Sequence, residues 1–133
     1  MYFLDTNICI YFLKGIYPSI NKKLAGLLPA QIKIPVIVMA ELLYGAEKSA
    51  RRKENLEVIS KFLTPFEIIP FEEQAAEIYS RIRVSSEAKG ISIGPNDLII
   101  ASIVLANEGI LITNNVKEFR RIKNLQMENW TNV

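Results

Sequence analysis

The sequence predicts an α/β fold in which a short, mostly parallel sheet is covered on both faces by helices. Short apolar runs that suit buried strands alternate along the chain with longer segments that suit helices. This alternation is typical of parallel sheets with helical crossovers. No internal repeat, low-complexity segment or linker interrupts it. Residues 1–133 are therefore expected to form one domain, large enough to bury a core without disulfides.

The first elements have clear boundary signals. Tyr2–Leu4 predicts a buried strand that ends at Asp5. A helix follows, with Thr6 or Asn7 as its cap and with Gly15 as its stop. The apolar side of this helix is expected to contain five residues: Ile8, Cys9, Tyr11, Phe12 and Leu13.

Helices and strands continue to alternate to the end of the chain. Pro35 suits a helix start, because the N–H that it lacks would be unpaired there. The predicted elements are a helix over 18–28, a strand over 32–34, a helix over about 36–46, a helix over 50–63, a strand over 66–69, a helix over 72–89 that ends at Gly90, a helix over about 97–107 capped by Asn96, a strand over 110–113, a short helix from about 116 and a strand near 125–127. The helix over 72–89 is expected to turn five residues inward: Ala75, Ala76, Ile78, Tyr79 and Ile82.

Composition restricts the compartment and the partners. The net charge of +2 permits a nucleic-acid partner without requiring one. Cys9 is the only cysteine, so an internal disulfide is excluded and a cytoplasmic location is expected. The longest apolar stretch near Asp97, residues 98–106, is far shorter than the ~20 residues that span a bilayer. No membrane partner is therefore expected.

The absence of histidine restricts the chemistry. Ser–His–Asp and Cys–His catalytic groups are excluded, and so is histidine-bound zinc. Any metal ion must be held by oxygen ligands, which favours Mg²⁺ or Mn²⁺ over zinc or copper.

Three acidic residues stand against apolar sequence. Asp5 and Asp97 are the only aspartates, and Glu41 is the only charge in the apolar stretch 36–44. Asp5 follows the first strand, and Asp97 lies at a helix N-terminus, whose dipole favours a negative charge. The segment 113–115 follows another strand, and ligands of open parallel sheets bind beyond the carboxyl ends of the strands. We expect these groups to converge on one edge of the sheet.

Such convergence has an energetic consequence. Two carboxylates about 5 Å apart repel by roughly 3 kcal/mol at an effective dielectric constant near 20. Three such pairs cost on the order of 10 kcal/mol, which is comparable with the stability of a small domain. The cluster must therefore take up protons, basic side chains or a divalent cation, and a hard cation fits a chain without histidine.

Structural roles are the alternatives for each acid. Asp5 suits a helix cap, and Asp97 follows the predicted cap Asn96. Glu41 suits a structural salt bridge or a side chain that reaches out to solvent. Gly45, one turn beyond Glu41, leaves space for a ligand or a close backbone.

Four segments, in this order, resemble the PIN-domain nuclease family, and most of all its bacterial toxin branch, the VapC toxins of type II toxin–antitoxin modules. They are LDTN at 4–7, ELLYGA at 41–46, IGPNDLIIA at 93–101 and LITNNVKEF at 111–119, and MENW at 127–130 also resembles that branch. The resemblance implies a three-layer α/β/α fold and a Mg²⁺- or Mn²⁺-dependent endoribonuclease. Some relatives with this C-terminal pattern cut initiator tRNA in the anticodon stem-loop.

The resemblance also implies site residues and partners. Asp5, Glu41 and Asp97 match the metal-binding catalytic acids. Thr6, Asn7, Asn96 and Thr113 match polar positions near the site. The implied partners are RNA and a separate VapB-type antitoxin, through which alone DNA would be contacted. A homodimer is also expected, with the apolar N-terminal helices as a candidate contact.

The chain departs from the family pattern at Asn115, where many PIN domains have an aspartate. An amide oxygen lacks the charge that a second cation needs. Glu118, one turn further on, is one candidate for the missing carboxylate. Asn115 and Glu118 also fit a capping box, and both alternatives remain open.

Basic residues near the predicted site are candidates for phosphate contacts, although a solvated helix face explains each one as well. They are Arg51, Arg52, Lys53, Lys117, Arg120 and Arg121.

Other functions remain as alternatives. An aspartyl phosphotransferase would need an acid where Asn7 stands, and a receiver domain would need further acids before its strand. A DNA nuclease and a non-catalytic RNA-binding or assembly module, disabled by Asn115, also fit the sequence.

Overall fold

The computed structural model describes residues 1–131, and the predicted domain boundary at 133 lies outside the described residues. Five short strands form one sheet: β1 (Tyr2–Leu4), β2 (Ile32–Pro35), β3 (Glu67–Ile69), β4 (Ile110–Ile112) and β5 (Gln126–Glu128). The helices are α1 (Thr6–Lys14), α2 (Pro18–Ala25), α3 (Val36–Glu47), α4 (Arg52–Leu63), α5 (Glu73–Ala88), α6 (Pro95–Ala106) and α7 (Val116–Phe119).

The sheet has the order β3-β2-β1-β4-β5, and all its pairings are parallel. The predicted α/β class is therefore confirmed. The chain leaves β1 towards β2 and β3 and later returns past β1 to β4 and β5. The order thus reverses between β1 and β4, and such a switch point opens a crevice at the carboxyl ends of the strands.

The helices form a layer on each side of the sheet. Parallel crossovers are right-handed in nearly all proteins, which places α1–α4 on one face and α5–α7 on the other. The packing agrees, since α1 contacts α2 and α3, α3 contacts α4, and α5 contacts α6. The result is a three-layer α/β/α arrangement. Within residues 1–131, every helix is too short or too polar to cross a bilayer.

α6 is the most deeply buried helix. Six of its residues are buried: Leu98, Ile100, Ala101, Ser102, Ile103 and Val104. A helix that is apolar on most of its circumference belongs inside a protein, and α6 lies against the strands as well as against α5. This burial fixes its N-terminus, which carries Asp97.

Two details of the helices differ from the expectations. The second helix ends at Ala25 rather than at residue 28, because the hydrogen bonds tighten there: the N–H of Gly26 is shared between the carbonyls of Lys22 and Lys23, and that of Leu27 donates to Leu24. On α5, Ala75 is buried but Ala76 is exposed, because adjacent residues lie 100° apart around a helix and α5 presents only a narrow stripe to α6. The predicted helix stops are right, since Gly15 and Gly90 adopt φ values of 64° and 68°.

Substitution of Gly109 tests the packing of the central strands. An added Cβ at this position would lie 2.3 Å from Cε1 of the buried Phe3 ring. We expect Gly109→Ala to lower the free energy of unfolding by about 1–3 kcal/mol, measured by chemical denaturation. Gly45→Ala is the control, since an added Cβ there meets no atom within 4 Å and should stabilise α3 by about 0.5–1 kcal/mol. Equal effects of the two substitutions would contradict this account of the packing.

Candidate functional site

Asp5 lies at the carboxyl end of β1 and has two structural roles there. Its backbone N–H donates to the carbonyl oxygen of Ile112 at 3.1 Å, which continues the pairing with β4. Its Oδ1 accepts from the N–H of Ile8 at 3.0 Å, so Asp5 caps α1. The predicted caps Thr6 and Asn7 are wrong, because the chain enters the helix directly after the strand and leaves Asp5 as the last extended residue.

Burial alters the ionisation of Asp5. The residue is 6% exposed, and removal from water raises the pKa of its carboxyl. Hydrogen bonds with the Thr113 side chain and with the backbone N–H groups of Ile8 and Asn7 oppose this rise, whereas the charge of Glu41 adds to it. Asp5 therefore caps α1, and the charge of Glu41 contributes to the pKa of its carboxyl.

Glu41 links three helices. It is half-buried on α3. Its Oε1 accepts from the Thr6 hydroxyl of α1 at 2.5 Å, and its Oε2 accepts from the Asn96 amide of α6 at 3.3 Å. No ion pair to Glu41 occurs among residues 1–131, so the predicted structural salt bridge is not formed. The added Cβ at Gly45 meets no atom within 4 Å, so no backbone approaches closely there.

Asp97 is the third residue of α6 and is half-buried. Burial, followed by the charges of Glu118, Asp5 and Glu41, raises the pKa of its carboxyl to about 6. The predicted cap Asn96 is wrong. Pro95 takes the first helical position, so the cap position falls on Gly94, and the Asn96 amide is left to donate to Glu41.

Asn115 and Glu118 do not form the predicted capping box. The N–H of Asn115 donates to the Thr113 hydroxyl at 2.9 Å rather than to Glu118. Glu118 instead accepts from the Asn115 amide at 2.7 Å and from the N–H of Gly94 at 3.1 Å. These bonds hold the Glu118 carboxylate against the N-terminus of α6, where its charge acts on Asp97.

The acidic rim, defined as Asp5, Glu41, Asp97 and Glu118, therefore lies at the switch point between β1 and β4. After burial, the charge of Glu41 helps to raise the pKa of Asp5, and the charges of Glu118, Asp5 and Glu41 help to raise that of Asp97. In the described part of the chain, no lysine or arginine forms an ion pair with any of them. Oxygen is the only donor type that the rim offers.

The rim is not a closed metal cage. Over residues 1–131, no group of three or more Asp, Glu, Cys or His side chains is arranged so that it could hold one metal ion. Glu41 and Glu118 are each turned towards hydrogen-bond donors of neighbouring helices. The acids thus share one electrostatic environment, but their hydrogen bonds set their positions individually.

The basic residues singled out from the sequence fall into two groups. Arg51 and Arg52 form surface ion pairs with Glu54 and Glu47 at 2.5 and 2.8 Å, and Lys53 is exposed beside them. The other group is exposed on α7 or directly after it, next to the rim: Lys117, Arg120 and Arg121.

One polar contact near the rim was not predicted. The Tyr11 hydroxyl accepts from the Asn114 amide at 3.3 Å, although Tyr11 was assigned only to the apolar side of α1. The polar end of a tyrosine normally seeks a partner, and this was the available signal.

The chain matches a family model and is similar to named relatives. Residues 2–125 match the PIN domain family. The chain is 44% identical over 131 residues to ribonuclease VapC2 of Rickettsia felis, covering 98% of both chains. It is 35% identical over 129 residues to the tRNA(fMet)-specific endonuclease VapC of Salmonella typhimurium, covering 97% of both.

The fold is similar to that of a solved complex. The crystal structure of VapBC2 from Rickettsia felis bound to a DNA fragment from their promoter contains a chain that superposes with a TM-score of 0.91. The two chains are 43% identical, and the match covers 97% of this chain and 98% of that one.

The raised pKa of Asp97 predicts a stability that falls as the pH rises. Between about pH 4 and pH 6 the folded chain holds a proton on Asp97 that the unfolded chain has released, so stability present at low pH is lost as the pH rises through this window. Because Asp97 is only half-buried, we expect Asp97→Asn to raise the free energy of unfolding at neutral pH by about 1 kcal/mol. The free energy of unfolding is measured by chemical denaturation in EDTA at pH values from below 4 to neutral.

Glu57→Gln provides the control, since it removes the same charge from an exposed position of α4. This substitution should leave the pH profile unchanged. An Asp97→Asn variant that is less stable than the parent chain at neutral pH would contradict the prediction, since the ionised Asp97 carboxylate would then stabilise the folded chain.

Proposed function

The chain belongs to the PIN-domain family, and we propose that it is the toxin of a type II toxin–antitoxin module, a VapC-type endoribonuclease that hydrolyses RNA phosphodiester bonds. The observation that carries this proposal is the acidic rim, an uncompensated group of carboxylates at the switch point of the sheet. The similarity to the Rickettsia and Salmonella ribonucleases extends over nearly the whole chain, so the matched region spans the positions of the rim.

PIN-domain nucleases generally depend on a divalent metal, and we propose Mg²⁺ for this chain, with Mn²⁺ able to substitute. The rim suits such an ion because its donors are all oxygens and its negative charge is not balanced by basic side chains. Asp5, Glu41 and Asp97 would hold it, with Glu118 and Asn115 beside them. When bound, a divalent ion lowers the pKa of a water molecule and stabilises negative charge on phosphate oxygens.

The protein's own part is to position these acids. The N–H of Ile8 and the Thr113 side chain hold Asp5. The Thr6 hydroxyl and the Asn96 amide hold Glu41 between α1 and α6. These donors are neutral, so they orient the carboxylates without cancelling the charge that attracts a cation. In hydrolysis, a water oxygen forms a bond to phosphorus, the bond to the leaving oxygen breaks, and that oxygen takes up a proton.

Initiator tRNA is the first substrate to test. The Salmonella relative is named a tRNA(fMet)-specific endonuclease, and the chain is aligned with it over 97% of both lengths. The Rickettsia relative is named only as a ribonuclease. RNA is therefore the proposed substrate class, and the anticodon stem-loop of initiator tRNA is the proposed site within it.

A VapB-type antitoxin is the proposed partner. The Rickettsia complex is named as VapBC2 bound to a fragment of promoter DNA, and here too DNA contact would run through the antitoxin. We propose that the antitoxin covers the acidic rim and presents a basic side chain to it, because the chain supplies none itself. A homodimer formed through the apolar N-terminal helices and a cytoplasmic location complete the proposal.

Two observations favour a second candidate, a non-catalytic RNA-binding module. Asn115 replaces a carboxylate with an amide, and no three acids in residues 1–131 are arranged as a closed metal site. Cation binding and RNA cleavage distinguish this module from the enzyme.

Removal of a rim carboxylate should abolish cleavage. We expect Asp5→Asn and Asp97→Asn each to slow Mg²⁺-dependent cleavage of initiator tRNA by about 100-fold or more, because each removes a full charge from the proposed metal site. Gel analysis of the products measures the rate, and Glu57→Gln serves as the exposed control. Cleavage at the wild-type rate by either variant would refute the assignment of the site.

Thermal unfolding tests cation binding independently of activity. A cation that binds only the folded chain raises its melting temperature. We expect Mn²⁺ to raise the melting temperature of the parent chain and to have much less effect on Glu41→Gln. The control is Glu47→Gln, six residues along α3 and exposed, which should respond as the parent does. No shift in the parent chain would favour the non-catalytic module.

A further inference from the structure

A basic cleft lies between the second half of α5, the end of α6 and the segment that follows α7. It encloses about 480 Å³. Four cationic side chains border it, and they define the basic cleft below: Arg81, Lys89, Arg121 and Lys123. All four residues are exposed.

The chain does not neutralise this charge. Within the described residues, no acidic side chain borders the cleft, and none of the four cations forms an ion pair. Lys89 follows the C-terminus of α5, where a cation offsets the helix dipole, but this role accounts for only one of the four. Unpaired positive charges around a concave surface attract anions.

The basic cleft begins close to the acidic rim along the chain. The N–H of Arg121 donates to the carbonyl oxygen of Glu118 at 3.3 Å, so one helical turn separates the cleft from a rim carboxylate. On the other side, Lys89 begins the loop that leads to Gly94, whose N–H donates to Glu118. Two segments of the chain therefore each connect the rim to the cleft.

α6 gives the distance from the rim to one border of the cleft. Asp97 is near its start, and Leu105, which borders the cleft, is near its end. Eight residues of helix span about 12 Å. One strand of a nucleic-acid duplex carries a phosphate about every 3.4 Å along the axis, so this distance corresponds to about three or four nucleotides.

We propose that the basic cleft binds the phosphates of the RNA substrate a few nucleotides from the bond that is cut. This inference rests on the proposed ribonuclease function. An RNA strand held at the rim must continue past one of its neighbouring surfaces, and the cleft, which begins one helical turn beyond Glu118, offers unpaired cations. An acidic protein segment is less well supported, because nothing at the rim would bring it there.

The test compares two double variants that lose the same charge. Lys89→Gln with Lys123→Gln removes two cations from the cleft, and Lys22→Gln with Lys23→Gln removes two exposed lysines from α2. Both pairs are made in an Asp97→Asn background, so that RNA is bound without being cut. The dissociation constant of a fluorescein-labelled RNA stem-loop is measured by anisotropy over a range of salt concentrations.

The cleft pair should weaken binding about tenfold at low salt and reduce the slope of log K against log salt by about 1–2, as expected for lost phosphate contacts. The α2 pair should change the dissociation constant less than about twofold. Arg81→Gln alone should shift the affinity in the same direction as the cleft pair. Thermal melts of all variants check that they remain folded.

Equal effects of the two lysine pairs, or no effect of either, would overturn the proposal. So would a cleft pair that binds RNA normally but loses affinity for a polyglutamate peptide, since the cleft would then be a protein-docking surface. Cleavage of RNA by the wild-type chain is assayed in parallel. Cleavage with unaffected binding refutes the cleft alone, whereas absence of cleavage refutes the ribonuclease function.

Discussion

Mutual repulsion among the rim carboxylates is the constraint on which this end of the molecule depends. Asp5, Glu41, Asp97 and Glu118 come from four different elements. Asp5, Glu41 and Glu118 are held by neutral donors: backbone N–H groups, the Thr6 hydroxyl, and amides. Neutral donors fix a carboxylate in place but leave its charge intact. The buried core of α6 supplies the rigidity that keeps Asp97 in place, although burial and then the neighbouring charges raise the pKa of its carboxyl.

The alternation of strands and helices was predictable because each element carries its own signal in a parallel sheet. The starts of α2, α3 and α7 were predicted as well, but those of α1 and α6 were not. At α1, two polar residues follow Asp5 in the sequence, and the choice of cap depends on where the pairing with β4 ends, which is a long-range contact. At α6, Pro95 determines the first turn and moves the cap to Gly94. Local preference favours several residues at each position, and tertiary structure selects one.

The same distinction applies to the candidate site. Asp5, Asp97 and Glu41 could be recognised in the sequence, because a carboxylate among apolar residues lowers stability unless it is paired or binds a ligand. The orientation of Glu118 could not be predicted, since it depends on the N–H of Gly94, 24 residues away. Of the basic cleft only Arg121 was singled out, because the cations are spread between positions 81 and 123 and become neighbours only when α5 packs beside the segment after α7.

The central position of β1 has a further consequence for synthesis. β1 is made before its partner β4 and the acids Asp97 and Glu118, which follow about a hundred residues later. A nascent chain on the ribosome therefore carries Asp5 without the neighbours that would make it part of a rim. The complete rim arises only when translation has passed Glu118, so the proposed phosphodiester-cutting centre is absent while the preceding residues are being made.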